Sequence, residues 1–367
     1  MRERTQVRGN ETQNIVVNLF KAPPFWADRI KNVFNTLSAQ LKSYKYKNSK
    51  LAYYFKSALR YAAPKFLLQS YDAVIKNSLK NYGEKEIFDR VNYYNKLQNN
   101  TALPPEAAAL KDFTYARRNK YGHAGSMSFF DVYEYARRFP QNLKFLYKFG
   151  DLRTSPPQPS IVKSRPVDGD NKNSVLLKLN KMRHFMFLKD VKNFRDKKDM
   201  LVGRAAVFQP HRVKFWEMYF GNPMCDLGQT NKNPKHPEWT KKTMSIGGHL
   251  DYKFILCLEG NDVATNLKWV MSSNSLAVMP RPEVESWFME GRLVPDFHYV
   301  EIKRDYSDLE ERLKYYMARP EEAEKIIKNA HDYIAQFTDQ KKEDLISLLV
   351  LQKYFSVTGQ NIPDIGL

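Results

Sequence analysis

The spacing of apolar and polar residues differs between the two halves of the chain. Residues 25–97 repeat apolar side chains at helical intervals, with Pro64 as an interruption. Apolar runs at 14–20 and at 143–149 (LKFLYKF) are short enough to predict strands. The first half is therefore expected to be rich in helix, with a few strands.

Beyond about residue 190, predicted strands alternate with predicted helices, which is typical of βαβ units and a parallel sheet. The predicted strands are 200–208, 224–228, 254–258, 275–279 and 298–302. The predicted helices are 211–219, 263–271, 283–289, one opened by the capping box Ser307-x-x-Glu310, 320–337 and 342–355.

This pattern predicts an α/β protein in which two domains face a cleft. Residues 1–190 form the helix-rich N-terminal part, and residues 191–340 form a Rossmann-like C-terminal domain. Residues 341–367 contain a final helix, which is expected to pack back on the N-terminal part.

Composition narrows the class of protein. The 367 residues are 43% apolar and 14% aromatic, which excludes a disordered chain. Their net charge of +19 predicts an acidic partner: nucleic acid, an anionic membrane surface or a phosphate-bearing molecule. Two cysteines exclude a disulfide framework and indicate a reducing compartment. Because no segment approaches the roughly 20 apolar residues of a membrane span, and no signal-peptide core begins the chain, we expect a soluble or peripheral intracellular protein.

Positive charge is concentrated between Lys42 and Lys80, which we call the basic segment. It holds nine lysines and arginines against one acid, Asp72, and tyrosines and phenylalanines lie among them. One interpretation is a solvated helix face whose aromatic side chains pack inward. The other is a surface that binds anionic lipid headgroups or a phosphorylated acceptor.

Metal ligands are not apparent in the sequence. The seven histidines show no HxxxH or HExxH spacing, so a zinc site is not expected. Asp168-Gly169-Asp170 has the Asp-x-Asp spacing that shares a hard cation, but its polar surroundings are typical of a turn. We therefore expect no metal.

Phosphate binding, in the absence of a glycine-rich loop, requires cations at the ends of parallel strands. Two segments qualify as phosphate-binding sites. The first holds Gly203 and Arg204 at a strand end and Arg212 at the next helix start. The second follows the strand FILCL, and its candidate residues are Glu259, Gly260, Asp262, Ala264, Asn266 and Lys268.

A group of three acids, Glu283, Glu285 and Glu290, alternates with aromatic residues. The ordinary interpretation is the polar face of an amphipathic helix, and the alternative is a set of catalytic carboxylates.

Residues 260–311, GNDVATNLKWVMSSNSLAVMPRPEVESWFMEGRLVPDFHYVEIKRDYSDLEE, resemble glycosyltransferase family 90, most of all its bacterial lipopolysaccharide branch. Residues 149–185, FGDLRTSPPQPSIVKSRPVDGDNKNSVLLKLNKMRHF, resemble the same branch, and LVGRAAVFQPHR at 201–212 resembles the family's Gly/Arg segment. The first 140 residues match no pattern of the family.

The resemblance implies a GT-B fold, in which two Rossmann-like domains face each other and the C-terminal one holds a UDP-sugar. It implies inverting, metal-independent transfer, with an aspartate in an Asn-x-Arg-Asp context as the general base. The matching position is Asp151, which places the base in the N-terminal, acceptor-side domain, although Gly150 replaces the arginine.

Transfer by a single displacement requires a carboxylate to take the acceptor proton and cations to stabilise the departing diphosphate. Arg204, Arg212 and Lys268 are the candidates for the second task. Lys163 and Arg165, which follow Asp151, are candidates to bind a phosphorylated acceptor or the donor.

The expected function is transfer of a hexose from a UDP-sugar to a hydroxyl group of a glycan, such as lipopolysaccharide core, at the cytoplasmic face of the inner membrane. The expected partners are the UDP-sugar, a glycolipid or oligosaccharide acceptor and an anionic membrane, and not nucleic acid. A nucleic-acid-binding protein would also explain the charge, but no such motif is present. A scaffold with the same fold and no catalysis is the third alternative.

Overall fold

The computed structural model describes residues 48–65, 68–115 and 126–362. The strand predicted at 14–20 and the first part of the basic segment lie outside the described residues.

Helices dominate both ends of the described chain. They are α1 Lys50–Ala62, α2 Tyr71–Leu79, α3 Glu84–Tyr94, α4 Ser126–Ala136, α5 Lys181–His184, α6 Pro210–Tyr219, α7 Ile246–His249, α8 Leu267–Met271, α9 Leu309–Ala318, α10 Pro320–Ala335 and α11 Gln340–Val357.

Strands occupy the middle of the chain and form several sheets. They are β1 Ala108–Ala109, β2 Lys144–Phe145, β3 Tyr147–Lys148, β4 Ser160–Val162, β5 Ser164–Pro166, β6 Ser174–Leu176, β7 Lys198–Ala205, β8 Cys225–Gln229, β9 Tyr252–Leu256, β10 Leu276–Met279, β11 Val284–Ser286 and β12 Val300–Glu301.

The largest sheet is five-stranded and parallel, in the order β12-β10-β9-β7-β8. All five residues of β9 are buried, as expected for a strand covered by helices on both faces. Phe215 and Trp216 of α6 pack in the same core as Phe254 of β9 and Val278 of β10. The protein is thus a mixed α/β structure.

A smaller parallel sheet, β3-β4-β6, lies in the preceding part of the chain. It is joined to the region of the large sheet by β5, which pairs antiparallel with β11. This pairing sets Arg165 opposite Glu285 and Ser164 opposite Ser286. The two sheets and the helices between them belong to one compact unit. The domain boundaries near residues 190 and 340 remain predictions.

Helix α11 is buried on all sides from Leu345 to Phe355. It packs against α2, α3 and α4. Its Glu343 is fully buried, and its two carboxylate oxygens lie 2.7 Å from Arg90 Nη2 of α3 and 2.8 Å from Lys178 Nζ after β6. The indole N–H of Trp287 donates to the same carboxylate at 2.7 Å.

Several predicted elements differ from the structure. The run 143–149 forms two short strands, β2 and β3, because each pairs with a different neighbour. The helix predicted over 263–271 is restricted to α8, and Asp308, not Ser307, precedes the first turn of α9. The hydroxyl of Ser307 instead donates to Asp305 at 2.8 Å, so the predicted capping box is wrong.

The helix predicted over 283–289 is also wrong, because its centre is the strand β11. Its acids do not form a polar helix face: Glu283 is exposed, whereas Glu285 and Glu290 are 1% and 2% exposed.

None of the helices in the described parts of the chain has both the length and the apolar composition that a bilayer span requires.

Candidate active site

The large sheet changes direction between β7 and β9. The chain runs from β7 to β8 on one side, then returns to β9 on the other side and continues outward to β10 and β12. The loops that leave β7 and β9 therefore diverge at the carboxyl edge of the sheet. Such a switch point is where open parallel α/β sheets bind their ligands.

A cavity of about 300 Å³, which we call the switch-point cavity, lies at this edge. One wall is formed by Gln209, which precedes α6, and by Arg212 in the first turn of α6, and another by the loop after β9, from Gly260 to Asn266. A further wall comes from the preceding part of the chain and includes Asp151, Lys163, Arg183 and His184. Two sequence-predicted phosphate segments and the predicted base thus line one cavity.

Arg212 holds the two diverging loops together. Its Nε donates to the carbonyl of Glu259 at 2.8 Å, Nη1 donates to that of Ala206 at 2.9 Å, and Nη2 donates to that of Leu258 at 2.9 Å. Burial lowers the pKa of this guanidinium to about 10, which leaves it charged at neutral pH. A guanidinium has about five N–H groups. Three of those of Arg212 donate to these carbonyls, and the other two do not.

Arg204 also lines the cavity but is anchored to the neighbouring strand. Its Nη1 donates to the carbonyl of Asp226 at 2.6 Å and its Nη2 to the Asp226 carboxylate at 2.8 Å, while its buried Nε has no partner among the described residues. Burial alone would raise the pKa of Asp226, but hydrogen bonds from Tyr252, Lys241 and Arg204 outweigh burial and lower the pKa to about 2. Arg204 therefore faces a carboxylate that stays ionised.

Gly203 precedes Arg204 where β7 passes closest to its neighbours. A Cβ at this position would lie 3.0 Å from a methyl group of Leu227 and 3.2 Å from one of Leu256. A side chain there would require these methyl groups to shift by a few tenths of an ångström, so glycine suits the close packing of the three strands beneath the cavity.

Asp151 follows the end of β3 and is 42% exposed at the rim of the cavity. The preceding Gly150 has a φ of +120°, in a region that favours glycine. An arginine would be strained there, so this chain cannot place the family's arginine before the aspartate without changing the backbone.

The Asp151 carboxylate forms an ion pair with Lys163, which lies between β4 and β5 and is 4% exposed. Lys163 Nζ also lies 2.6 Å from Oδ2 of Asp262, in the loop after β9. The same Asp262 oxygen accepts a hydrogen bond from Ser164 Oγ at 2.9 Å. Burial raises the pKa of Asp262, and Lys163 opposes this rise.

His184 completes this wall of the cavity. Its imidazole is 4% exposed, and burial, together with the nearby cations Lys268, Lys163 and Arg183, lowers its pKa well below the ordinary value. It is therefore neutral at physiological pH. His184 and Arg183 were not singled out from the sequence, although both lie in the segment MRHF that carries the family resemblance.

A second cavity of about 210 Å³, the adjacent cavity, shares Leu258 and Val263 with the first. Its apolar lining comes from residues at the ends of β9 and β10 and from the segments that follow them: Cys257, Leu258, Val263, Ala264, Leu267, Met279, Pro280, Pro282, Val284 and Tyr306.

Charged residues surround part of the adjacent cavity. Glu259 accepts from the backbone N–H groups of Glu283 and Val284 at 2.8 and 3.0 Å, which fixes the start of β11. Arg153, two residues after Asp151, pairs with Glu259 at 2.9 Å and with Glu283 at 2.5 Å. Proximity to Asp151 is the sequence signal that would have identified Arg153.

Of the remaining donor candidates, three line a cavity and one does not. Asn266 lines the switch-point cavity and donates to the Leu256 carbonyl at 2.9 Å, Gly260 lies against Arg212, and Ala264 lines the adjacent cavity. Lys268 lines neither cavity: it is fully buried and forms an ion pair with Glu290. We therefore leave Lys268 out of the proposed donor site.

Arg165 likewise points into the protein. It is fully buried, its Nε donates to Glu285 at 2.7 Å, and its Nη2 donates to the Tyr93 carbonyl at 2.6 Å. These partners hold it inside the protein, so we also leave Arg165 out of the acceptor site. Lys163 and Arg165 lie only two residues apart, but Lys163 lies between β4 and β5 and lines the cavity, whereas Arg165 lies in β5 opposite Glu285 of β11.

Asp168 and Asp170 lie in an exposed turn and line neither cavity. The side chain of Asp168 is 83% exposed, and Asp170 forms an ion pair with Lys172 at 3.2 Å. Across the described residues, no group of three or more histidine, cysteine or acidic side chains is arranged to hold a metal ion.

Comparison with known proteins identifies the class. Residues 213–357 match the model of glycosyl transferase family 90. The chain is also 43% identical over 271 residues to the O-glucosyltransferase LpsA of Dichelobacter nodosus, which covers 74% of this chain and 83% of that relative. The chain belongs to glycosyltransferase family 90, and the resemblance seen in its sequence is confirmed.

More distant relatives match a smaller part of the chain. The human protein O-glucosyltransferase 3 is 32% identical over 157 residues, 41% of this chain and 31% of that protein. An uncharacterized protein, 027R, of frog virus 3 is 30% identical over 120 residues, 31% of this chain and 12% of that protein.

Proposed function

We propose that this glycosyltransferase moves a hexose from a UDP-sugar to a hydroxyl group of a glycan, with inversion, and that Asp151 is the general base. The observation that carries the proposal is that Asp151, Arg212 and the loops of the sheet switch point line one cavity. A base and an anion-binding group at one site are what a single displacement requires.

The switch-point cavity is the proposed site of the diphosphate and the sugar. Arg212 has N–H groups that its three loop carbonyls do not use, and it lies in the first turn of α6, where a helix favours anions. Arg204 adds a second positive charge at the cavity wall. These two cations are proposed to stabilise the departing diphosphate without a metal.

The adjacent cavity is the proposed site of the nucleobase. Its apolar lining residues suit a flat ring, its charged residues can bind the polar edge of a base, and it shares Leu258 and Val263 with the cavity proposed for the diphosphate. The relatives named O-glucosyltransferase make UDP-glucose the first donor to test.

In the proposed reaction, the acceptor oxygen attacks the anomeric carbon as the bond from that carbon to the diphosphate breaks. Asp151 takes the acceptor proton, and the electron pair of the broken bond leaves with UDP. His184, which is neutral and buried, provides a polar group at the same wall without adding charge.

The GT-B arrangement is part of the proposal. It is supported by two parallel sheets, one of which carries Asp151 at a strand end while the other supplies the phosphate loops. Each sheet thus contributes one of the two chemical functions that such a fold divides between its domains.

The acceptor is proposed to be a lipopolysaccharide core glycan, which would bring the enzyme to the inner face of the inner membrane. Helix α1, part of the basic segment, carries Leu51, Phe55 and Leu59 on one exposed stripe, at 82, 65 and 56% exposure. Lys50 and Lys56 lie on the same helix, which has no acidic residue. A basic helix with an exposed apolar stripe suits an anionic lipid surface.

The test is UDP release by the purified protein with a panel of UDP-sugars and lipopolysaccharide core oligosaccharide, with products identified by mass spectrometry. Asp151→Asn should lower turnover at least about 100-fold, since a positioned base contributes about 10²–10⁴-fold, while UDP affinity stays within a few-fold. The exposed Asp170→Asn is the matched control.

Three results would contradict the proposal. Retention of more than about a tenth of turnover by Asp151→Asn would mean that Asp151 is not the base. Dependence on manganese, removed by EDTA and lost in Asp168→Ala, would refute metal-independent transfer. A rise in melting temperature with an oligonucleotide but not with UDP would favour a nucleic-acid ligand instead.

A further inference from the structure

Lys163 is the point at which three separate segments meet. Its ammonium group contacts the carboxylates of Asp151, at the end of β3, and Asp262, in the loop after β9. Its own position lies between β4 and β5, and its side chain is 4% exposed. Burying an ammonium group is costly unless acidic partners compensate for its lost hydration.

Ser164 joins the same segments by a second route. Its hydroxyl donates to Asp262 at 2.9 Å and accepts from the backbone N–H of Leu152 at 3.2 Å. The residue that follows the proposed base is thus tied to the donor-side loop. Lys163 therefore holds the carboxylate of Asp151, and Ser164 holds the backbone next to it.

The charges in this cluster do not suit a site for an acceptor phosphate. One ammonium group faces two carboxylates, so the cluster has a net negative charge, and the neutral His184 does not change it. A phosphate would have to displace a carboxylate from Lys163. Arg183 and Arg212, which also line the cavity, are not part of this cluster.

Resting on the function proposed above, we propose that Lys163 is a positioning residue that connects the donor loop to the general base. Its contact with Asp151 aims the carboxylate into the cavity, and its contact with Asp262 fixes the ammonium group. Asp262 therefore acts on the base through Lys163 and not on the sugar.

The proton balance of the reaction fits this role. Before transfer, Asp151 and Asp262 carry two negative charges and Lys163 one positive charge. The acceptor proton bonds to Asp151 as the new glycosidic bond forms and UDP leaves, so the cluster becomes neutral while Lys163 keeps its proton. The proton then passes from the partly exposed Asp151 to water.

The test compares Lys163→Met, Lys163→Arg, Asp262→Asn and the double variant Lys163→Met/Asp262→Asn. Lys163→Met should lower kcat by about 10–100-fold, part of the contribution of a positioned base, with KM for donor and acceptor within about threefold. Lys163→Arg should recover part of kcat. Asp262→Asn should lower kcat about tenfold at unchanged UDP affinity, which keeps the test valid if Lys163→Met does not fold.

The double variant tests the connection itself. If Asp262 acts through Lys163, the double variant should be no slower than Lys163→Met, because coupled residues are not additive. The exposed Lys172→Met is the matched control and should retain wild-type kcat. The inference would be overturned if the fold-losses in kcat of the two single variants multiplied in the double variant. It would also be overturned if Lys163→Met raised KM for the acceptor and kept its kcat.

Melting temperatures separate this inference from the proposed function. Lys163→Met leaves Asp262 buried without its cation, so the double variant should melt at or above the temperature of Lys163→Met. Additive decreases in melting temperature would refute the link between the two residues. A wild-type protein inactive on every UDP-sugar would refute the proposed function, while this comparison would still decide the link.

Discussion

Glu343 offers the clearest test of how α11, the last helix of the described chain, is joined to α3 and to the segment after β6. Its carboxylate is fully buried and lies 2.7 Å from Arg90 Nη2 and 2.8 Å from Lys178 Nζ, both of which are also buried. Glu343→Gln preserves the shape of the side chain and an acceptor for the Trp287 N–H, but removes the charge that both cations face.

The expected cost follows from this geometry. Removing one partner of a buried ion pair costs about 3–5 kcal/mol, because the charge that remains is desolvated and unpaired. Lys178 can reduce the cost by releasing its proton, since burial already lowers its pKa, but Arg90 cannot. We therefore expect a loss near the lower end, about 3 kcal/mol.

Urea unfolding followed by tryptophan fluorescence measures this loss directly. The transition midpoint should decrease at an unchanged slope, which shows that stability and not compactness has changed. Glu310→Gln is the matched control, because Glu310 pairs with Lys314 on the surface and should leave the midpoint unchanged. A Glu343→Gln midpoint equal to that of wild type would refute the assignment of a stabilising role to these ion pairs.

Three further outcomes are expected. Arg212→Ala should weaken UDP binding at least about tenfold by calorimetry, since it removes a charged donor worth about 1.5–3 kcal/mol; unchanged affinity would exclude Arg212 from the donor site. The pKa of Asp226 is lowered to about 2, so its contribution to stability is present above about pH 4 and is lost as the pH falls toward 2. Asp226→Asn should accordingly flatten the decrease in melting temperature between about pH 4 and 2, and an unchanged slope would contradict this. Leu51→Ser/Phe55→Ser should reduce binding to anionic liposomes in a sedimentation assay, whereas the equally exposed Val191→Ser should not; equal binding by both variants would exclude the α1 stripe.

The parallel sheet could be predicted because its strands are continuous apolar runs. Strand β9 is buried on both faces, and the sequence YKFIL carries that information locally. The loops after β7 and β9 were predicted as phosphate sites for the same reason, since the ends of apolar strands can be seen in the sequence. Their meeting in one cavity follows from the strand order, which the sequence does not contain.

The buried acids could not be predicted, because their partners are distant in sequence. Glu285 pairs with Arg165 through the pairing of β11 with β5, and Glu290 pairs with Lys268. Without these partners, acids between aromatic residues have the pattern of an exposed helix face. The same separation explains why Lys163 was expected to face a ligand: its partner Asp262 lies in a different sheet region.

The position of α11 has a consequence for synthesis of the protein. Helices α2, α3 and α4 pack around a helix that the ribosome makes about 200 residues later than α4. At about 5–20 residues per second, the nascent chain would expose the apolar faces of these helices for roughly 10–40 s. The large parallel sheet is complete before α11 emerges, so we expect it to form first. Helices α2, α3 and α4 would then pack last, around α11, although they are made first.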